Sequence, residues 1–286
     1  TNMGFVRIES FVNREAATNA DSKPSSEVLG PWADAAIVRS AIPSKLDINA
    51  GGHSNISTVH QAGSDAVVGT GAFEDVWEGG SDIDWLTAAD NIRVKVGGNA
   101  NDTAAGTGTR TVRVEGLDAN FLEITEDITL AGASASASTS LAFVRVNKFY
   151  DQTSGTYTGV NAGQINLETD AGIELAHILE GNGEAEIAHF TVPANKTAYL
   201  TRLEVFWDSN KAGTIRGVHR LDADIVSAPF SSRRIFAEFP ELSGEQVVVY
   251  DSFIRFPGKT DIWFTAKAEN TPGAADVEYD LVLVDN

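Results

Sequence analysis

The chain has 286 residues, of which 42% are apolar, and carries 40 acidic against 21 basic side chains for a net charge of −19. It contains no cysteine, which excludes disulfide staples, thiolate metal sites, iron–sulfur clusters and cysteine nucleophiles. The acidity argues against a nucleic-acid binder, which needs a basic footprint to displace counterions from phosphates.

The chain opens on Thr1, the residue that removal of an initiator Met in the cytosol would leave, and the first residues lack a basic stretch followed by an apolar one. No secretory signal is therefore expected. No run approaches the roughly 18 apolar residues of a membrane helix, so no membrane partner is expected. Residues 1–70 show no sustained period, and short apolar groups such as Phe5–Ile8 and Ala35–Val38 are separated by Asn, Ser, Gly and Pro. The Gly-, Ser-, Asn- and His-rich stretch 49–71 is long for a structureless segment inside a compact domain. Residues 1–70 read as an irregular N-terminal arm that orders against something else, or as an irregular subdomain packed on its own chain.

Residues 71–187 hold 19 of the acidic groups and 6 of the basic ones. Ile83 to Ile92, with Asp82 as a cap, is the best helical candidate. From Asn91 the hydropathy alternates with period two, as in half-buried strands: 92–96, 111–115, 121–130 with a bulge near Glu126 and Asp127, 142–150, 164–168 and 173–178. The turn-like 116–120 predicts a hairpin. A second β block, residues 188–286, starts near Ile187 with about eight strands: 187–192, 198–207, 214–221, 231–239, 247–250, 254–256, 260–266 and 277–284. The expected fold class is all-β, with an acidic antiparallel β-sandwich domain at 71–187 and a C-terminal jelly-roll or Ig-like sandwich at 188–286.

Reactive spacings are sparse. His53, His60, His177, His189 and His219 fall in no metal-binding or catalytic spacing and read as loop or packed strand histidines. The carboxylate pairs Glu74/Asp75, Asp82/Asp84, Glu126/Asp127 and Asp222/Asp224 read as solvated surface, with calcium as the alternative for Asp82/Asp84 and Asp222/Asp224. Gly97-Gly98 and Gly106/Gly108 read as turns, since neither continues into a phosphate cradle. Arg216/Arg220 and Arg233-Arg234 form a basic patch that should pair with carboxylates. Trp207 and Trp263 sit among apolar neighbours and read as core, whereas an exposed Trp would indicate sugar stacking. Trp77 lies where it could staple the arm to the first block. No catalytic, cofactor-binding or metal-ligating residue is assigned, and no cofactor and no enzymatic activity are expected.

One succession of segments carries a resemblance. It runs Glu74–Gly80, Trp85–Val94, Ala105–Asp118, Phe143–Asn147, Gly155–Gly159 and Tyr199–Arg202 after Val192–Ala194. This order resembles virion structural proteins of tailed bacteriophages, especially those common in marine phages, over roughly residues 70–286. The resemblance implies a capsid- or tail-associated protein in the virion, assembled in the host cytoplasm. It brings no catalytic residues with it. The function it implies is a decoration or cement protein binding the major capsid protein or other virion proteins, as a homo-oligomer with a trimer favoured. A tail or host-attachment protein and a carbohydrate-binding module are the alternatives.

Overall fold

A computed structural model describes residues 45–286 except 97, 98 and 209. The chain divides into two units, Thr1–Gly52 and His53–Asn286. In the first, the described part holds one helix, α1 (Lys45–Asn49), which the sequence reading did not anticipate. Residues 1–44 of the expected arm, with the Phe5–Ile8 and Ala35–Val38 groups, lie outside the described residues.

The second unit is all-β, and its strand pairs are antiparallel. One sheet runs in the order β1-β16-β11-β14, from β1 (Ile56–Val68), β16 (Gly273–Asp285), β11 (Lys196–Trp207) and β14 (Gly244–Phe256). Another runs β10-β15-β12-β13, from β10 (Phe190–Thr191), β15 (Asp261–Ala268), β12 (Gly213–Arg220) and β13 (Arg234–Leu242), with β2 (Glu74–Asp75) also paired to β15. The inward sides of these two sheets share one core, in which Trp207, Phe256, Phe264 and Tyr279 are almost fully buried. Removing each such side chain from water contributes about 1.5–3 kcal/mol.

Residues 77–187 build two further sheets. The first is β6-β3-β8-β9, from β6 (Ala142–Phe143), β3 (Asp90–Val96), β8 (Ile165–Thr169) and β9 (Glu174–Ile178). The second is β5-β4-β7, from β5 (Glu123–Thr129), β4 (Thr109–Leu117) and β7 (Arg145–Ser154). Ile92, Val114, Phe143, Phe149, Ile165 and Leu167 fill their common core. Alternation explains these strands: in β4, Val112 and Val114 face inward while Arg113 and Glu115 stay partly exposed.

This second block is an insertion between β2 and β10. Both chain crossings lie side by side, with Trp77 bridged to Ile187, Ala188 N–H donating to the Val76 carbonyl at 3.3 Å and Glu78 N–H to that of Glu186 at 3.4 Å.

Several expectations change in the structure. Residues 56–68, read as arm, form β1 and pair with β16 from Ile56↔Val284 to Val68↔Gly273. Between inward Val59 and Val68, the inward positions of β1 are Gln61, Gly63 and Asp65, so apolar alternation is too weak to reveal the strand. Ile83 to Ile92 is not helical: 83–89 is irregular and β3 begins at Asp90. The Asp75 carboxylate takes the Ile83 N–H at 2.8 Å, anchoring that segment to β2 rather than leaving the amide to start a helix turn. The β4–β5 hairpin forms, but its register is regular through Glu126 and Asp127. The irregularities lie on the other side of β4, against β7. The two expected strands 247–250 and 254–256 are one strand, β14.

Candidate functional site

A polar seam joins the inserted block to the sheets around it. Arg145 of β7 and Asp261 of β15 are paired with both side chains almost wholly buried, Nε to Oδ1 at 3.0 Å and Nη2 to Oδ2 at 3.2 Å. Arg145 Nη1 also donates to the carbonyls of Leu86 and Val144, both at 2.8 Å. Its guanidinium lies 4.9 Å from the Trp85 ring centroid, a cation–π distance. Thr191 Oγ1 donates to Asp261 at 2.7 Å, and Asn147 exchanges two hydrogen bonds with the Thr191 backbone. The Gln61 amide reaches the carbonyls of Asn147, Ile187 and His189 at 2.9–3.0 Å.

His189 completes the seam. Its Nε2 lies 2.9 Å from the Val146 carbonyl, an acceptor only, so Nε2 carries the proton. Burial pushes the imidazole down to about 4, so it is neutral near pH 7. The Trp85 ring packs edge-on against both His189 and Trp263, at 5.5 and 5.6 Å. These groups hold one another across two packed blocks, with Gln61 Oε1 and His189 Nδ1 left as buried atoms without a hydrogen-bond partner among the described residues.

The outer face of the β1-β16-β11-β14 sheet follows from its register. One row is Ser64–Asp276–Phe206–Glu245, the next Ala62–Glu278–Glu204–Val247, and the next His60–Asp280–Arg202–Val249. At the first two rows, Glu186, Glu204, Glu245, Asp276 and Glu278 line a recess of about 310 Å³ with Phe206. Arg202 pairs with Glu204 and lies 3.9 Å from Glu278, and His60 Nδ1 is 2.9 Å from Asp280. Burial holds the Asp276 carboxyl above the usual range, and Glu186 and Glu278 reinforce the shift. Such a face favours cationic partners over anionic ones.

Two further carboxyls sit near the chain crossings. Burial pushes Glu78 up to about 7, with Glu186 adding to it against the Glu186 N–H and His177. Burial likewise pushes Asp75 up to about 6 against the hydrogen bond from Ile83 N–H.

The residues singled out in the sequence are dispersed. His177 is buried against Glu174 at 2.7 Å and lies 5.9 Å from Trp77; half-buried His219 stacks near Phe236 and Phe256; His53 is partly buried. Asp82 and Asp84 are exposed. Asp222 accepts from Ser231, Asp224 pairs with Lys259 at 2.7 Å, and Asp127 holds Arg113 bidentately. Glu126 accepts from the Ser140 and Leu141 amides. Among the described residues, no group of three or more His, Asp or Glu could hold a metal ion. Arg216 pairs with Glu238 at 2.8 Å, and Arg220 lies 3.8 Å from Asp261, as expected of that patch; Arg234 flanks His219.

Gly106 and Gly108 are turn glycines organised by buried Asp102, which accepts from Thr109 and Ala162 N–H at 2.9 Å; Gly97-Gly98 lies outside the described residues. Trp77, Trp207 and Trp263 are buried and Trp85 partly so, leaving none of these rings exposed for sugar stacking. Trp77 packs into the core of the inserted block; residues 1–44 of the segment it was expected to staple lie outside the described residues. The reading of single residues passed over Gln61, Arg145 and Asp261, although a charge inside Phe143–Asn147 and another opening Asp261–Ala266 break otherwise apolar strands.

Exposed apolar side chains concentrate elsewhere. Ile225, Val226, Phe230, Ile235, Val247, Val249 and Phe253 are all exposed, Val249 at 70%. They occupy β13 and β14, edge strands among the described residues, and the loop before β13.

No protein-family model matches the chain, and no curated protein matches it. Solved structures that align with it include infectious bursal disease virus, Gt strain, at 9% identity over 80% of this chain and 72% of that one, with a TM-score of 0.25. The T13 viral particle of the same virus aligns at 10% identity over 80% and 73%, with a TM-score of 0.22. An isomalto-dextranase of Arthrobacter globiformis T6 complexed with panose aligns at 11% identity and the same TM-score, and this chain spans 35% of it. TM-scores this low establish no shared fold.

Proposed function

We propose that this chain is a structural protein of a virion of the tailed-bacteriophage type, working by surface contact without transforming any molecule. The finer reading is a decoration or cement protein on the head shell, located in the virion and bound to the major capsid protein or another virion protein. The shared cores support two face-to-face sandwiches, one inserted in the other. The ordered succession of segments from Glu74 to Arg202 supports the phage type.

The observation that carries the reading is the run of exposed apolar side chains between Ile225 and Phe253, on strands that are sheet edges among the described residues. Large exposed apolar clusters mark contact surfaces. The acidic outer face beside β14 supplies orientation, since complementary charge steers association and rejects wrong partners. A symmetric oligomer would multiply weak single contacts on a repetitive shell.

The test is the copy number of this polypeptide in purified particles, measured by quantitative mass spectrometry. Many copies, in fixed proportion to the shell subunit, are expected. A handful of copies located at the tail would replace the reading with a tail or host-attachment protein.

A further inference from the structure

We infer that the open edge of β14 is a two-fold contact at which a second copy of this chain pairs its own β14, joining two four-stranded sheets into one. Among the described residues β14 is hydrogen-bonded to β11 alone, so its far edge is open. An open edge of 13 residues with Val247, Val248, Val249 and Tyr250 in succession invites strand pairing. The neighbouring edge, β13, carries Pro240, which cannot donate to a ladder; β14 contains neither Pro nor Lys.

The outer ends of β14 are complementary to each other about Tyr250, while Val249 beside the centre faces Asp251. Antiparallel pairing of two copies centred there places Glu245 opposite Arg255 of the second copy and Val247 opposite its Phe253, and each pair occurs twice by symmetry. The faces agree. Val247 and Val249 stand opposite Glu204 and Arg202 on the outer side, and alternation puts Glu245, Asp251, Phe253 and Arg255 there too. All six are exposed, while Val248, Tyr250 and Ile254 lean on the core.

The register with β11 also points outward. Ile254 pairs with Leu200 and Val249 with Arg202, so Tyr250–Phe253 pass opposite the single residue Thr201. A bulge of this kind usually blunts an edge. Here it falls on the proposed axis, where Tyr250–Phe253 have no register partners in β11 among the described residues. Two charge pairs and two apolar pairs thus lie symmetrically about one centre. This contact shares Val247, Val249 and Phe253 with the surface that carries the virion reading, but its test is separate, since copy number in a particle does not depend on it.

The chain lacks cysteine, so introduced thiols report the pairing cleanly. Sedimentation velocity of the full chain should give twice the mass of the 30.4 kDa polypeptide. Arg255→Glu sets like charges opposite each other twice and should weaken the dimer roughly tenfold. Glu245→Arg combined with Arg255→Glu should restore it. A Val247→Cys chain mixed with a Phe253→Cys chain should give a disulfide-linked pair on oxidation, and neither chain alone should. Circular dichroism verifies that each exposed-site variant is folded. A monomer, with the edge taken by residues 1–44 or by nothing, overturns the inference. So does an oligomer whose mass ignores Arg255→Glu, or thiol pairing that does not follow the Val247–Phe253 register.

Discussion

Replacing Asp261 with Ala should be among the most damaging single changes in this protein. The substitution removes two hydrogen bonds, at 3.0 and 3.2 Å, from a guanidinium whose side chain is 4% exposed. Stranding one member of a buried ion pair costs about 3–5 kcal/mol. Arg145 keeps the carbonyls of Leu86 and Val144 and the Trp85 face, which places the loss toward the lower end, about 3 kcal/mol. At ~2–4 °C per kcal/mol for a unit of this size, the midpoint falls by about 10 °C. Urea unfolding followed by tryptophan fluorescence is the assay, because Trp85 lies against Arg145. Arg145→Met combined with Asp261→Leu removes both charges together and should cost less than Asp261→Ala alone. A loss below about 1 kcal/mol for Asp261→Ala, or a double variant as unstable as the two singles summed, would refute the reasoning.

Glu78 and His189 should set opposing pH dependences. Glu78 is raised from 4.5 to about 7 in the folded protein, so the native state holds an extra proton between these values and stability falls as pH rises through them. Glu78→Gln should flatten that fall in unfolding curves taken from pH 5 to 8; an unchanged slope contradicts the assignment. His189 is lowered from 6.5 to about 4, so its contribution is present above pH 6.5 and lost as pH drops toward 4; His189→Gln should remove that acid-side loss. Gly63→Ala should destabilise by about 1–3 kcal/mol in the same urea assay, because the added Cβ would lie 2.6 Å from Ala188 Cα. Trp207→Ala should cost about 3–5 kcal/mol by thermal unfolding, since the ring is fully buried and Gly213 and Gly273 pack on it.

Strands β3 and β4 of the inserted block were legible because each buries one apolar side: Val112 and Val114 alternate with Arg113 and Glu115, and Ile92 and Val94 with Arg93 and Lys95. β1 was illegible for the converse reason. Inward Gln61 meets carbonyls, inward Gly63 lies against the Ala188 backbone and inward Asp65 takes the Val67 N–H, which leaves Val59 and Val68 to reach the apolar core. The candidate contact surface was only half legible. Glu245, Arg255 and the valines between them could be read along the chain, but whether β14 was a central or an edge strand could not.

Local pattern alone determined that the second unit is all-β, that cysteine chemistry is excluded and that Trp207 and Trp263 are core, since hydropathy period and composition act within a few residues of each position. Only the tertiary structure decided that β1 closes the C-terminal sheet, that Arg145 meets Asp261 116 residues away, and that the acidic groups of β11, β14 and β16 converge on one face. Strand order and register join residues remote in sequence, and no local periodicity encodes them.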